Sequence, residues 1–489
     1  MAHDTDRQTQ PTAAEVAQQV YRQYHQYAEE APALQRRRFK HHEMVPLLER
    51  LQQHEAFEVE VAGQSVEQRD IYLVKAGTGD INVMLWSQMH GDESTATMAL
   101  FDLFNFLHRS DELDPLRRHL LQHLTLHVVP MLNPDGAERF SRRNALEVDL
   151  NRDALRLQSP EARLLKQLRD RIAPEFGFNL HDQSRYYTAG NTPNPATIAF
   201  LAPAFDHAQT VNQVRERAMR TIAGLQEALQ QFIPGQVAKF SDEHEPRAFG
   251  DNIQKWGTSV ILIESGGYHN DQEKQYMRQL NFTAMVSALH LIAGEGYKAH
   301  GLENYYGIPE NQRNLYDVVL RHVRHTVNGH DVALDVGILR QEVNAPFGKG
   351  YIYKGTVEEI GDMHLYHGYQ EIDATGLRLV PGNVYEPPFR TLQDLDSQTA
   401  EALLAQGYTT VRVEQLPPDL TLINPLELPL NVVGTAEAVD HTFRLGEGAN
   451  FSLQAPDGTV VWTIVNGFAL APASPLPDTY HALPLGLRI

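Results

Sequence analysis

Short apolar runs alternate with amphipathic stretches over roughly the first three hundred residues. The clearest runs are 81–86, 124–132, 177–181 and 259–265. The first leads through a polar loop into residues 95–107, where Ala99, Leu103 and Phe104 recur at helical spacing on one face. Buried strands separated by helices are typical of parallel sheets covered on both faces. The pattern therefore predicts an α/β fold, with a mixed, mostly parallel sheet flanked by helices.

The pattern differs at the two ends of the chain. Residues 12–52 are helical in character, and 57–61 and 71–75 alternate like two strands flanking a turn. After residue 300 a last helical segment, 314–326, gives way to short strands and Gly/Pro turns. The sequence APDG at 455–458 is typical of a hairpin turn. We predict a catalytic domain over 1–300, with 12–52 as its helical N-terminal segment, and a β-rich accessory domain over 301–489.

Composition narrows the function classes. The chain has 489 residues, 42% of them apolar and 21% charged, which fits a folded protein with more than one domain. Its net charge of −20 argues against nucleic acids and anionic membranes as partners. There is no cysteine, so any transition metal must be held by histidines and carboxylates.

The N-terminal residues carry no apolar run after a basic stretch, and no segment approaches 18 uninterrupted apolar residues. We therefore expect neither a signal peptide nor a membrane span, and a cytoplasmic location. The oligomeric state stays open.

A set of metal-ligand residues follows the predicted strands. His90 and Glu93 form an H-x-x-E motif directly after 81–86, and His181 ends the strand 177–181. Catalytic zinc takes three protein ligands and keeps one open position, so these three residues predict one Zn²⁺ per chain. The alternative for His181 is a hydrogen-bonded core histidine. Asp149 is the candidate acceptor behind His90, with a turn cap as its alternative.

A cluster of arginine and amide side chains follows the strand 124–132. It begins with the turn Asn133-Pro134-Asp135-Gly136 and continues with Arg142, Arg143, Asn144, Asn151 and Arg152. Arginines beside a metal bind a substrate carboxylate bidentately or stabilise an oxyanion. The alternative is a solvated basic loop.

Glu264 closes the apolar strand 259–265 and precedes Ser265-Gly266-Gly267. A carboxylate at such a position is costly to bury without a role or a partner. Close to a zinc site, a glutamate can act as general base and then general acid. The alternative is a structural ion pair with one of the arginines.

These motifs, taken in order, resemble the zinc metallocarboxypeptidases related to carboxypeptidase A. The resemblance covers about residues 40–295 and rests on H-x-x-E, N-P-D-G, R-x-N, D-L-N-R, a strand-end His and a strand-end Glu. It implies that His90, Glu93 and His181 bind zinc, with Asp149 behind His90. It also implies that Arg142 polarises the scissile carbonyl, that Asn151 and Arg152 bind the terminal carboxylate, and that Glu264 is the base.

The sequence departs from the family at one functional position. Many members carry a substrate-capping Tyr some twenty residues before the base, and the corresponding segment 241–256 contains none. His244, Arg247 and Phe249 lie in that segment, and Tyr186 and Tyr187 follow His181. Residues 250–252 are candidates for the side-chain specificity pocket.

The leading hypothesis is hydrolysis of an amide bond next to a free carboxylate, with a peptide as the simplest substrate. Arg143 and Asn144 complete the predicted substrate-binding set beside Asn151 and Arg152. One alternative is an N-acyl amino acid amidohydrolase, similar to succinylglutamate desuccinylase and aspartoacylase. An alternative of another class is a non-catalytic peptide-binding module.

Overall fold

The computed structural model describes residues 11–344, 350–417, 428–472, 474–477, 480 and 482–485. The chain divides into two compact units, 1–313 and 314–489. The sequence analysis places this boundary at 300/301. Within the described ranges, no helix is both long enough and apolar enough to cross a membrane.

The first unit alternates helices and strands. Its α-helices are α1 Ala13–Gln23, α2 His41–Gln52, α3 Thr95–His108, α4 Asp114–His123, α5 Pro134–Arg139, α6 Pro160–Ile172, α7 Gln213–Leu229, α8 Phe249–Lys255, α9 Gln275–Ala293 and α10 Leu302–Tyr306. Its strands are β1 Glu58–Gln64, β2 Asp70–Ala76, β3 Ile81–Trp86, β4 Leu124–Val129, β5 Phe176–Asp182, β6 Thr188–Ala189, β7 Ile198–Leu201, β8 Val237–Lys239, β9 Ser259–Ser265 and β10 Asn311–Gln312. Short 3₁₀ helices cover Tyr24–Gln26, Pro32–Gln35, Leu150–Arg152 and Gly296–Ala299.

Eight of these strands form one sheet in the order β1-β2-β4-β3-β5-β9-β7-β8. The centre of the sheet is parallel, since β4, β3, β5 and β9 all run in the same direction. Antiparallel pairs join β1 to β2, β2 to β4 and β9 to β7. The predicted α/β class with a mixed, mostly parallel sheet is confirmed.

Both faces of the sheet are buried, and β3 shows why four consecutive residues of a strand, 83–86, are apolar. Val83 and Leu85 join the larger core cluster, which contains residues of α3, α7 and α9. Met84 and Trp86 point to the opposite face and join a second cluster with residues of α6 and α8. A strand buried on both faces needs apolar residues at every position instead of alternate ones.

A buried ion pair anchors α9 within this unit. Arg278 on α9 donates to both carboxylate oxygens of Asp102 on α3, and its Nε lies 2.7 Å from Oδ2. Arg278 and Asp102 are almost fully buried. Such a pair is stable only when its remaining hydrogen bonds are made, and the carbonyls of Glu29 and Leu34 accept from Arg278 at 2.9 Å each.

The second unit is β-rich, as predicted. Its strands are β11 Leu315–Val327, β12 His330–Asn344, β13 Tyr351–Gly361, β14 His367–Asp373, β15 Arg378–Pro381, β16 Asn383–Phe389, β17 Tyr408–Val413, β18 Asn431–Gly434, β19 Phe451–Gln454, β20 Val460–Val465 and β21 Phe468–Leu470. Helix α11, Ser397–Leu404, and the 3₁₀ turn Leu392–Asp394 accompany them. The predicted hairpin turn at 455–458 is confirmed, because Ala455 N donates to Thr459 O at 2.8 Å between β19 and β20.

The prediction of a helix over 314–326 is wrong. These residues form β11, which pairs with β12 on one side and with β14 on the other. Val318, Leu320 and Val323 are buried in the core of this unit. β-Branched residues favour strands, and the pairing with two neighbouring strands outweighs any local helical preference.

Candidate metal centre and active site

Three neighbouring parallel strands bring the predicted chemistry to one edge of the sheet. The loop after β3 carries His90 and Glu93, while His181 and Glu264 lie near the ends of β5 and β9. His181 and Glu264 are direct register partners across the two strands. Ligands in sheets of this kind bind beyond the carboxyl ends of the strands, and these residues converge there.

His90, Glu93 and His181 form a compact cluster. The two carboxylate oxygens of Glu93 each lie 2.7 Å from an Nδ1 atom, one of His90 and one of His181. One ligand atom from each residue falls within 4.8 Å of the other two. Among the described residues, this is the one group of three or more His, Cys, Asp or Glu side chains so arranged.

Asp149 lies beside His90, on the side of its Nε2 atom. Its Oδ1 is 3.2 Å from Nε2 of His90, and it also accepts the backbone N–H of Asn151 at 2.9 Å. Burial raises the pKa of Asp149, but its hydrogen bond with His90 and the charges of His90 and Arg142 outweigh burial and hold it low. An anionic acceptor at Nε2 fixes the tautomer of His90 and leaves the Nδ1 lone pair free for a metal.

The donor set fits zinc. Two imidazole nitrogens and one carboxylate oxygen are the ligands of several catalytic zinc sites, and here they are buried and point at one another. Burial lowers the pKa of His90, yet the charge of Glu93 and the hydrogen bond of Asp149 outweigh it and raise that pKa to about 9. Because a ligand histidine must be neutral, binding a divalent ion here releases a proton.

Arg142 lies against this cluster. Its guanidinium is 3.2 Å from Oε1 of Glu93 and 3.1 Å from Nδ1 of His90. Its Nε and Nη2 hold Oδ2 of Asp149 at 3.1 and 3.0 Å. The side chain remains about 43% exposed, so one edge of the cation is free to meet a ligand.

Glu264 stands beside the cluster without a salt bridge to any arginine among the described residues. Burial, followed by the charge of Glu93, raises the pKa of Glu264 well above its ordinary value. The other charges acting on it are those of His90, Asp182 and Arg142. A glutamate whose pKa is raised in this way holds and releases a proton near neutral pH more readily than an ordinary one.

Asn151 and Arg152 lie on the 3₁₀ turn Leu150–Arg152, directly after Asp149. Oδ1 of Asn151 accepts the backbone N–H of Phe249 at 2.9 Å, which turns the amide NH₂ away from that bond. Nη1 of Arg152 donates to the Asn151 carbonyl at 2.7 Å, and its Nε lies 3.3 Å from Glu245. Both side chains are therefore oriented by neighbours while Arg152 stays partly exposed.

Comparison with known families agrees with this geometry. Residues 44–195 match the family model described as zinc carboxypeptidase. This match covers less than half of the chain. The matched segment contains His90, Glu93 and His181 together with the arginine cluster. Glu264 lies beyond its end.

The curated relatives that match part of this chain are named as carboxypeptidases. Carboxypeptidase SOL1 of Arabidopsis thaliana is 33% identical over 139 residues, which is 23% of this chain and 28% of that protein. Probable carboxypeptidase 2 of Trichophyton verrucosum is 30% identical over 134 residues, covering 27% of this chain and 24% of that protein. The chain thus spans about a quarter of the length of these relatives.

Solved structures give partial likenesses. A metallo-carboxypeptidase from Burkholderia cenocepacia superposes with a TM-score of 0.44 at 19% identity, over 53% of this chain and 70% of that one. A metallo-carboxypeptidase from Pseudomonas aeruginosa, in complex with (2-guanidinoethylmercapto)succinic acid, superposes with a TM-score of 0.43 at 21% identity. This likeness covers 52% of this chain and 69% of that one.

Asn144, one of the residues predicted to bind substrate, makes its recorded hydrogen bonds within its own part of the chain. It is 3% exposed: Oδ1 accepts the N–H groups of Leu146 and Val148 at 3.0 Å, and Nδ2 donates to Glu161 at 3.1 Å. These bonds give Asn144 a structural role in the turn. Its substrate contact stays a prediction.

Arg143, also predicted to bind substrate, has its recorded contact within the same turn. Its Nη1 donates to the carbonyl of Glu147 at 2.8 Å, and the residue is exposed. Its substrate contact stays a prediction. Arg142 reaches His90 and Glu93, whereas the recorded contact of Arg143 is with its own turn.

Asn133 has a positioning role that the sequence analysis left unassigned. Its Oδ1 caps α5 by accepting the N–H of Gly136 at 2.9 Å. Its Nδ2 donates to the carbonyls of Met89 and Arg142 at 3.3 and 3.4 Å. One amide thus fixes the residue before His90 and the backbone of Arg142. Asparagine after a strand and before Pro is a turn signal, but its partners are too distant in sequence to be predicted.

The segment that lacks the usual capping Tyr is held by an acid–imidazole pair. Nδ1 of His244 lies 3.1 Å from Oδ1 of Asp251, which also accepts the N–H of Glu245 at 3.0 Å. Burial raises the pKa of Asp251 to about 6 despite these bonds. Phe249 is fully buried and is therefore excluded as a mobile cap.

We expect Gly91→Ala to disrupt the loop after β3, which carries His90 and Glu93. A Cβ on Gly91 would lie 2.1 Å from the backbone carbon of Gly136 and 2.3 Å from the nitrogen of Ala137. Overpacking typically lowers the free energy of unfolding by about 1–3 kcal/mol. Because backbone atoms cannot rotate away, we expect Gly91→Ala to lose about 3 kcal/mol. Urea unfolding measures this loss. Gly296→Ala, where the nearest atom is a Leu291 side-chain carbon at 3.3 Å, is the control. Equal midpoints for Gly91→Ala and wild type would contradict the close approach.

Proposed function

We propose that this chain is a zinc-dependent metallocarboxypeptidase that hydrolyses the amide bond next to a free C-terminal carboxylate. The observation that carries the proposal is the convergence of His90, Glu93 and His181 on one point, with Glu264 in register beside His181. The family of residues 44–195 supports the same activity.

When bound, zinc would supply a Lewis acid and would lower the pKa of an attacking water to about 7. Glu264 takes the proton from that water, since its raised pKa suits it to hold a proton and later to give it to the leaving amine. Arg142, with one exposed edge and a position fixed by Asp149, stabilises the oxyanion that develops on the carbonyl.

Arg152 and Asn151 would bind the substrate carboxylate. Arg152 has its Nε and Nη1 occupied by Glu245 and the Asn151 carbonyl, and its side chain is 38% exposed, which leaves it accessible to a substrate. The Asn151 amide NH₂ is oriented by the bond from Phe249 N to its Oδ1. Together they make a substrate with a free C-terminus bind better than one with a C-terminal amide.

The activity assay compares three substrate classes on the zinc-loaded protein. A C-terminal peptide with a free carboxylate should be hydrolysed, and the same peptide as a C-terminal amide should not. Preferential hydrolysis of N-acyl amino acids would favour the amidohydrolase alternative. Zinc binding and peptide binding without hydrolysis of any of the three would favour a non-catalytic binding module.

We expect Arg152→Ala to raise KM about 10- to 100-fold for a free-carboxylate peptide, because a hydrogen bond to a charged group contributes about 1.5–3 kcal/mol. Arg152→Lys should recover little, since an ammonium cannot form the two parallel bonds of a guanidinium. Steady-state kinetics measure both variants. Arg156→Ala, an exposed arginine four residues on, is the matched control. An unchanged KM in Arg152→Ala would show that Arg152 does not bind the substrate carboxylate.

A further inference from the structure

The strand ends that carry His181 and Glu264 are joined by the side chain of Lys274, the residue directly before α9. Nζ of Lys274 lies 3.2 Å from Oδ2 of Asp182 and 3.1 Å from the carbonyl oxygen of Ser265. Asp182 directly follows His181, and Ser265 directly follows Glu264. One ammonium group therefore contacts the residue after the third zinc ligand and the residue after the general base.

Asp182 also contacts the loop after β3, which carries His90 and Glu93. Its Oδ2 accepts the hydroxyl of Thr95 at 2.6 Å, and its backbone N–H donates to Oε2 of Glu93 at 3.2 Å. Thr95 is the first residue of α3, two positions after Glu93. The Asp182 side chain and backbone thus hold the loop after β3 to the end of β5.

Lys274 is itself held rigidly. It precedes α9 with a left-handed backbone (φ 53°), and its N–H donates to the Asp271 carbonyl at 3.2 Å. Asp271 in turn caps α9 by accepting the N–H groups of Tyr276 and Met277 at 3.1 and 2.9 Å. The side chain of Lys274 is only 14% exposed and that of Asp182 only 10%. A partly buried ion pair of this kind is far less screened than a surface one.

A residue within α9 reaches the same strand end. Nδ2 of Asn281 donates to the Ser265 hydroxyl at 2.9 Å, and both side chains are buried. The carbonyl of Ser265 is therefore held by the residue before α9 and its hydroxyl by α9 itself, and α9 is anchored to α3 by Arg278 and Asp102. The end of β9 has little freedom to move relative to β5.

We propose that Lys274 is a positioning residue, which through Asp182 and Ser265 sets the placement of His181 and Glu93 relative to Glu264. This inference rests on the proposed function, because it concerns the spacing between its metal ligands and its base. The physical need is clear: a general base must lie within hydrogen-bond reach of its proton, and misplacement by about 1 Å costs about a hundredfold in rate.

Replacing Lys274 by Met keeps the aliphatic stem and removes the charge. Asp182 would then be a largely buried carboxylate with Thr95 as its remaining recorded side-chain donor, and the Ser265 carbonyl would lose a donor. Outer contacts of this type typically change metal affinity or activity by about 10- to 100-fold. We expect kcat at saturating zinc to fall at least about tenfold and KM to change less than about threefold.

The experiment measures kcat, KM, the zinc dissociation constant by chelator competition and the melting temperature of the metal-free protein. The variants are Lys274→Met, Lys274→Arg and, as matched control, Lys298→Met, whose lysine is 59% exposed on the same unit. In support, Lys274→Met loses kcat and binds zinc about threefold or more weakly, Lys274→Arg recovers part of both losses, and Lys298→Met changes neither.

A purely structural role would lower the melting temperature alone. If Lys274→Met melts earlier but keeps both kcat and the zinc dissociation constant within twofold of wild type, the proposal is overturned. If Lys274→Met does not fold, Thr95→Val decides, since it removes the other donor to Asp182 without changing shape. Wild-type kcat and zinc affinity in Thr95→Val would then refute the positioning role. Failure of the proposed function is distinct, because the wild-type protein itself would show no peptidase activity.

Discussion

Glu264→Gln should reduce kcat for peptide hydrolysis by about 10²- to 10⁴-fold, which is the range that a positioned general base contributes. The amide has nearly the same size as the carboxylate but cannot take a proton from water. Because Glu264 lies beside the zinc ligands and is not one of the three that converge, the variant should bind zinc as the wild type does. Steady-state kinetics test the expected loss of kcat, and zinc quantification on the same preparation tests whether the metal is retained.

The control for this variant is Glu295→Gln, which removes one carboxylate from an exposed position of the same unit. The folded stability of Glu264→Gln should equal or exceed that of the wild type, because a buried charge whose pKa is raised costs stability when ionised. Near-normal rates in a zinc-loaded Glu264→Gln protein would show that another group takes the proton. Loss of zinc would show instead that Glu264 belongs to the metal shell.

The central sheet could be predicted from sequence because several of its strands contain runs of consecutive apolar residues, such as 83–86 in β3 and 260–263 in β9. Residues 81–86 and 259–265 match β3 and β9 residue for residue. Such runs are long enough to be distinguished from loops and are followed by clear helical spacing. The order of the strands, which places β9 beside β5 and separates β4 from β5, depends on packing between distant residues.

The prediction failed where local and long-range preferences disagree. The local sequence pattern of residues 314–326 predicts a helix, yet these residues form β11 between two partner strands. β-Propensity depends on those cross-strand neighbours, and neither β12 nor β14 is identifiable from the segment itself.

The site was predictable to the extent that its residues follow strands. His181 and Glu264 lie near strand ends and His90 lies in the loop after a strand, so the parallel strands bring them to one edge of the sheet. Asn144 shows the limit of this reasoning, because its residue type fits a substrate contact while its recorded hydrogen bonds are with Leu146, Val148 and Glu161. Lys274 is a similar case, since its partners lie 92 and 9 residues away and nothing in its local sequence marks it.

His181→Ala should abolish high-affinity zinc binding and peptidase activity together. It removes one of the two proposed nitrogen ligands and leaves a cavity beside the carboxylate of Glu93, which keeps its contacts with His90, Arg142 and the Asp182 N–H. A zinc site reduced from three protein ligands to two lacks the set that catalytic sites need. Activity should be below detection, and added zinc should not restore it.

Thermal unfolding with and without zinc makes this prediction quantitative. An ion that binds only the folded state stabilises it by about 2.7 kcal/mol at a concentration one hundred times its dissociation constant, so the wild type should melt higher with zinc. His181→Ala should show no such rise, whereas Glu264→Gln should show the full rise without activity. The contrast separates metal binding from proton transfer at two register-paired residues. An equal zinc-induced rise in His181→Ala and wild type would mean that the ion binds elsewhere.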